Sequence, residues 1–199
     1  MSALLALDVA LLLPPAARER ATQLSQSLGS PASPQPSAKG LLLDADHLPH
    51  ITLTQQFVRA DEIDAVLERI DETLRGQTPV AVRVTGGGKG SSAVWMAVER
   101  TAEIVSLHER LMESLRGLER PAGTAAAFFE GDARVGDVAW VTSYRLQSSL
   151  GSFNPHVTLG HAEKAPAISP FGFQATTVAA CHLGRFCSCR RVLRSWDLL

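Results

Sequence analysis

Apolar residues run from Leu4 to Leu13 with one interruption, Asp8, and Pro14-Pro15 closes the run, a pattern that predicts a buried strand. Ala16 to Leu28 then reads as a helix with proline at its start. The stretch Gly29 to Ala38 carries three prolines and reads as a surface loop. Strand character returns from His50 to Thr54. Asp61 to Leu74 follows with Ile63, Val66, Ile70 and Leu74 at helical spacing and Asp61 as N-cap. Val80 to Val84 and Val94 to Val98 predict a hairpin whose turn is the glycine run Gly86 to Gly90. A second amphipathic helix spans about Ala102 to Leu115, with Leu107 and Leu111 on its apolar side and His108 reading as surface. Arg120 to Leu150 has no clear period, although Val138 to Val141 has strand composition. Strands then dominate: His156 to Leu159, Phe171 to Val178, Ala180 to Phe186 and Arg191 to Leu198.

Each half of the chain thus holds helix and flanking strands without a close sequence repeat, which suggests two related α+β lobes in one domain spanning residues 1–199. A formal net charge of −1 excludes the broad basic surface that long duplex nucleic acid requires, and favours a small anion or an RNA end. The longest apolar run is shorter than the roughly 20 residues of a membrane helix and has no basic residue ahead of it, so no membrane association and a cytoplasmic location are expected. Cys181, Cys187 and Cys189 are an odd number clustered near the end, which reads as reduced thiols and not as a disulfide framework.

One constellation stands above this background. Pro49-His50-Ile51-Thr52-Leu53 and Pro155-His156-Val157-Thr158-Leu159 repeat the order Pro-His-x-Thr-Leu. On a strand, residues i and i+2 share a face, so His50 pairs with Thr52 and His156 with Thr158, while the intervening apolar residues anchor the strand in the core. Proline ahead of each motif favours an edge or a strand's first position. Two imidazoles can serve as base and acid, and two hydroxyls can bind phosphoryl oxygens, which together meet the needs of phosphodiester cleavage without metal. Either motif alone would read as ordinary strand composition. The matched pair is what points to chemistry.

The pattern resembles the two-histidine phosphoesterase superfamily, and within it the 2'-5' RNA ligase-like and cyclic phosphodiesterase members. The matching elements are the opening strand Leu4 to Leu13, the motifs at 49–53 and 154–160, and the closing Trp196-Asp197-Leu198. The resemblance implies two α+β lobes with antiparallel sheets about a pseudo-twofold axis, both motifs facing a central cleft. It further implies hydrolysis or ligation at a 2',3'-cyclic phosphate or 2'-5' linkage of a nucleotide or RNA end, by a monomer with no cofactor. His50 and His156 would be acid and base in an order left open, with Thr52 and Thr158 on the phosphoryl oxygens. Where the family often has an aromatic residue five places after each histidine, this chain has Gln55 and His161, so Phe57 or Phe153 is expected to stack on the base, with Gln55 and His161 as further substrate contacts.

Other features fall away. His47 faces away from the pair on strand parity. Gly88-Lys89 lacks the spacing and the hydroxyl residue of a phosphate-binding P-loop. Arg185, Arg190, Arg191 and Arg194 read as charges protecting edge strands. A nucleotide- or RNA-end-binding module without turnover stays open as the alternative. A metal-dependent hydrolase built on His50, His156 and His161 finds no ligand motif to support it.

Overall fold

The computed structural model describes residues 2–28 and 40–199, so the expected proline-rich loop from Gly29 to Ala38 lies outside the described residues. The chain forms two four-stranded, wholly antiparallel sheets. The first has the order β2-β1-β7-β8, with β1 at Leu4–Leu12, β2 at His50–Arg59, β7 at Thr177–Leu183 and β8 at Cys189–Asp197. The second has the order β5-β4-β3-β6, with β3 at Val80–Lys89, β4 at Ala93–Val98, β5 at His156–His161 and β6 at Phe171–Ala175. Each sheet is thus bordered by one His-x-Thr strand, β2 or β5, and each histidine is the first residue of its strand. The prolines before the motifs fit these positions, because an edge or opening residue need not supply a ladder donor.

Helix α1 (Pro15–Leu28) packs on β5, while α2 (Ile63–Leu74) and α3 (Ala102–Ser114) pack on each other and on β2. One continuous core joins both sheets: Ile51 and Leu53 from the first motif and Val157 and Leu159 from the second lie in it, all fully buried. The odd positions of each motif therefore anchor the strand, as alternation requires. No helix among the described residues is long and apolar enough to cross a membrane.

Several local expectations are corrected. The region around Val138 is α4 (Val135–Gln147), a helix packed over β2, in which Asp137, Val141 and Tyr144 form the buried stripe. Tertiary burial of that stripe overrides the weak helix preference of its valines. Glycines 86–88 do not form the turn. They continue β3, paired with Ala97, Met96 and Trp95, and the chain reverses at residues 90–92. A side chain at Gly87 would place its Cβ 1.9 Å from the Pro166 carbonyl oxygen, and one at Gly88 would meet the Trp95 ring at 2.1 Å, so both are bare to let neighbours close over the strand. Asp61 does not cap α2, which starts after a short tight turn at Ala60–Glu62. Its carboxylate pairs with Arg59 instead. Phe171 to Val178 is two strands in different sheets, broken at Thr176.

His108 is also not on the surface. It is fully buried, with Nδ1 donating to the Leu53 carbonyl, Nε2 accepting from the Leu150 amide at 2.8 Å, and its ring stacked on Phe153 at 3.9 Å. It ties the first motif's strand to the segment leading into the second. Burial holds it below the ordinary histidine range, so it stays neutral. Its contribution to stability is therefore present above the unfolded value of about 6.5 and is lost as pH falls below it. Replacing it by leucine strands one buried carbonyl and one amide, and should lower unfolding free energy in urea by about 2–4 kcal/mol. The variant should also be less acid-sensitive than the parent in that pH window, with the remainder due to the other histidines that burial holds low, His156, His161 and His182.

Candidate active site

Between the two motif strands lies a cavity of about 680 Å³, whose wall includes His50, Thr52, His156 and Thr158. All four residues brought forward by the sequence thus meet at one place. The strands present them through register: Leu12 stands opposite His50 and Ala10 opposite Thr52, while Ala97 stands opposite His156 and Trp95 opposite Thr158. Each imidazole is held the same way, by Nδ1 against a carbonyl two residues earlier, Leu48 for His50 and Asn154 for His156, both at 2.7 Å. That bond fixes the Nδ1–H tautomer and leaves each Nε2 free for chemistry.

The two histidines differ in their surroundings. Burial alone would lower His50, but the Asp8 carboxylate, 3.6 Å from Nε2, outweighs it together with the Leu48 carbonyl, and His50 is pushed up to about 9. His156 also suffers burial, has no carboxylate beside it, and feels the charge of His50; it is held below the ordinary value. At neutral pH the motif pair therefore consists of one imidazolium and one neutral imidazole.

The other expected contacts divide. His161 lines the cavity beside Phe186, with its buried Nδ1 lacking a hydrogen-bond partner among the described residues. Gln55 also lines the cavity, but its amide is already engaged: Nε2 donates to Asp8 at 2.6 Å and Oε1 accepts from Trp140 Nε1 at 2.8 Å. Phe153 reaches the wall with one ring face already stacked on His108. Phe57 is not in the cavity. A bulge at Leu53 puts Phe57 on the same face of β2 as Gln55, opposite Ala6, but the ring is covered by Phe128 at an edge-to-face distance of 5.8 Å, in a separate buried cluster.

The aromatic groups that do face the cavity come from elsewhere. Trp95 lies beside His156, with ring centroids 5.3 Å apart, and Trp140 on α4 keeps 44% of its surface exposed. Phe186 sits on the turn between β7 and β8, where it and Cys187 both have positive φ, 64° and 52°. That conformation is unfavourable for non-glycine residues, so the turn must be held. Asp137 holds it, accepting the Phe186 amide at 3.1 Å while also binding the Arg134 guanidinium, which covers the Phe186 ring at 3.9 Å. Asp8 was visible in the sequence as the one charge within an apolar strand. Trp140, Arg134 and Phe186 carried no local signal.

Asp8, His50 and Cys189 place ligand-capable atoms within 4.8 Å of one another, the one such group of histidine, cysteine and acidic side chains among the described residues. Burial keeps the Cys189 thiol protonated, and Asp8 Oδ2 accepts from Thr52 and Gln55. The three cysteines are free, as expected.

The 2'-5' RNA ligase superfamily model matches residues 13–180, most of the chain and both motifs. The chain belongs to that superfamily. The likeness to two-histidine phosphoesterases carried by the paired motifs is thereby shown. Among solved structures of the same fold, TT0787 of Thermus thermophilus superposes with a TM-score of 0.65 at 18% identity, covering 98% of each chain. Apo LigT of E. coli gives 0.60 at 20% identity, and LigT complexed with 3'-AMP gives 0.58 at 17%, each covering 99% of both chains. No curated protein matches the chain. The superfamily fold accounts for the two mixed helix and antiparallel sheet layers around the cavity.

The unequal histidines make a direct prediction for imidazole NMR on the unliganded protein. His50 should remain protonated at pH 8 and titrate near about 9, whereas His156 should titrate below 6.5. Coincident titration of both rings would overturn the asymmetry.

Proposed function

We propose that this member of the 2'-5' RNA ligase superfamily is a metal-independent phosphodiesterase for a 2',3'-cyclic phosphate or 2'-5' linkage on a nucleotide or RNA end. The observation that carries this reading is the pair of motif histidines lining one cavity, His50 with the Asp8 carboxylate beside it and His156 without one, surroundings that hold His50 above and His156 below the ordinary value. His156, neutral, takes the proton of the attacking water or hydroxyl. His50, protonated, gives one to the departing ribose oxygen. The threonines stand next to the histidines, where the non-bridging oxygens of a phosphate between the two rings would lie. Because water and a ribose hydroxyl are similar nucleophiles, the same groups would run hydrolysis or its ligating reverse, with acid and base exchanging roles.

The size of the cavity and its aromatic rim suit a nucleoside: Phe186, Trp140 and Trp95 offer faces for a base, with His161 as a polar contact. A fold neighbour, LigT of E. coli, is known in complex with 3'-AMP, which is in keeping with a nucleotide ligand here. A binding module would need the rim and the threonines, but it would have no use for two imidazoles poised in different protonation states.

Turnover of 2',3'-cyclic nucleotides in the presence of chelator tests the proposal. His50→Ala and His156→Ala should each lose about 10²–10⁴-fold in kcat while retaining ligand binding. In the parent, kcat/KM should rise as pH passes the His156 value, below 6.5, stay level through neutrality, and fall near about 9 as His50 loses its proton. Equal loss of binding and turnover in both variants would favour the binding module. Activity that vanishes in chelator would sink the metal-independent reading.

A further inference from the structure

The two motifs are matched in sequence, yet only one of them has a carboxylate beneath it. Asp8 lies in the middle of β1, which is paired on both sides, by β2 and β7, and the residue has no exposed surface. Its Oδ2 accepts the Thr52 hydroxyl at 2.8 Å and the Gln55 amide at 2.6 Å, and faces His50 Nε2 at 3.6 Å. Its Oδ1 is buried without a hydrogen-bond partner, and His50 is its one ion-pair partner among the described residues. Around the second motif the neighbouring strand offers Ala97 and Trp95 opposite His156 and Thr158, and no acidic group. Thr158 lines the cavity and makes no side-chain hydrogen bond among the described residues.

A hydroxyl has a single proton to donate. An ionised carboxylate can only accept, so the Thr52 proton points at Asp8 and away from any phosphoryl oxygen. We propose that Asp8 is a positioning residue that makes the motifs unequal: it serves as counter-ion to His50 and occupies the Thr52 hydroxyl, leaving Thr158 as the threonine that donates to the phosphoryl oxygen. The inference rests on the phosphodiesterase reading for its kinetic consequences, but not for the state of His50.

The other titratable groups around His50 and Asp8 are Cys181 on β7, Cys187 on the β7–β8 turn, Cys189 on β8, His156 on β5 and Tyr144 on α4, so Asp8 is the one carboxylate among them. Burial keeps the Cys187 and Cys189 thiols and the Tyr144 phenol protonated, and His156 brings positive charge or none. A further consequence concerns Trp140. Gln55 bridges Asp8 to the Trp140 indole, so the carboxylate also fixes one aromatic group on the rim.

Asp8→Asn retains the side chain's shape and removes its charge. Imidazole NMR on the unliganded, folded variant should show the His50 midpoint lowered by more than about one unit, and the alkaline limb of kcat/KM should move down with it. A structural role alone would change rate or stability without moving that limb. Independently, Thr158→Val should cost at least about ten-fold more in kcat/KM than Thr52→Val on a 2',3'-cyclic nucleotide. An unmoved His50 midpoint in folded Asp8→Asn, or equal losses in the two threonine variants, overturns the inference. Should Asp8→Asn not fold, the threonine pair decides. If no cyclic nucleotide is turned over by the parent, the phosphodiesterase reading fails, while the His50 titration still decides the role of Asp8 as its counter-ion.

Discussion

A carboxylate with no exposed surface, placed on a strand that is paired on both sides, has given up its hydration and must recover the loss from its neighbours. That loss amounts to several kcal/mol for an ion in a real protein interior. Asp8 recovers it from a hydroxyl, an amide and an imidazolium, and all three donors come from β2. The requirement therefore fixes more than a charge state. It locks the register of β2 against β1 at the place where the strand bulges, sets the rotamers of Thr52 and Gln55, and through Gln55 reaches α4 on the far side of the cavity. Buried ion pairs seldom stabilise a fold as well as apolar packing of the same volume. Here the penalty is tied to a function, because it creates an imidazolium in a cleft where burial alone would produce a neutral ring.

The parts of this molecule that were legible in the sequence are those decided by neighbours a few positions away. Alternation in Pro-His-x-Thr-Leu correctly assigned Ile51, Leu53, Val157 and Leu159 to the core and the histidines to the cavity, and the prolines marked strand openings at the sheet edges. Helices α1, α2 and α3 followed from their apolar spacing. Apart from Asp61, whose carboxylate pairs with Arg59 nearby, the failures share one cause, which is contact with parts of the chain that local pattern does not show. The glycines of β3 look like a turn until Pro166 and Trp95 close over them. The valines of α4 look like a strand until Tyr144 and Val141 are seen packed over β2. His108 looks exposed until Leu53, Leu150 and Phe153 surround it.

The same distinction runs through the site. The four residues of the motifs could be named from sequence, because two strands with the same pattern are improbable by chance. Their inequality could not, since it depends on what lies in the next strand. Asp8 did interrupt an apolar run, and a charge at that position in a buried strand is itself a signal that something must pair with it. Phe57 shows the opposite limit: strand counting cannot reveal what covers a residue, and although Phe57 shares a face with Gln55 its ring ends in a core cluster under Phe128.

Cavity wall and cavity rim are thus built on different physical terms. The wall consists of strand residues held by ladder register and core anchors, so moving a histidine means moving a sheet. The rim consists of one exposed tryptophan on a helix and a phenylalanine on a turn with two unfavourable backbone conformations. That turn persists because Asp137 binds its amide and the Arg134 guanidinium that lies over Phe186, a small local network that can change without disturbing the sheets. Proton transfer demands fixed geometry within a fraction of an ångström, whereas stacking tolerates many bases and orientations. In the proposed phosphodiesterase, a rigid wall with a separately secured rim would let the identity of the substrate vary by changes in α4 and the β7–β8 turn, while the chemistry proposed at His50 and His156 stays the same.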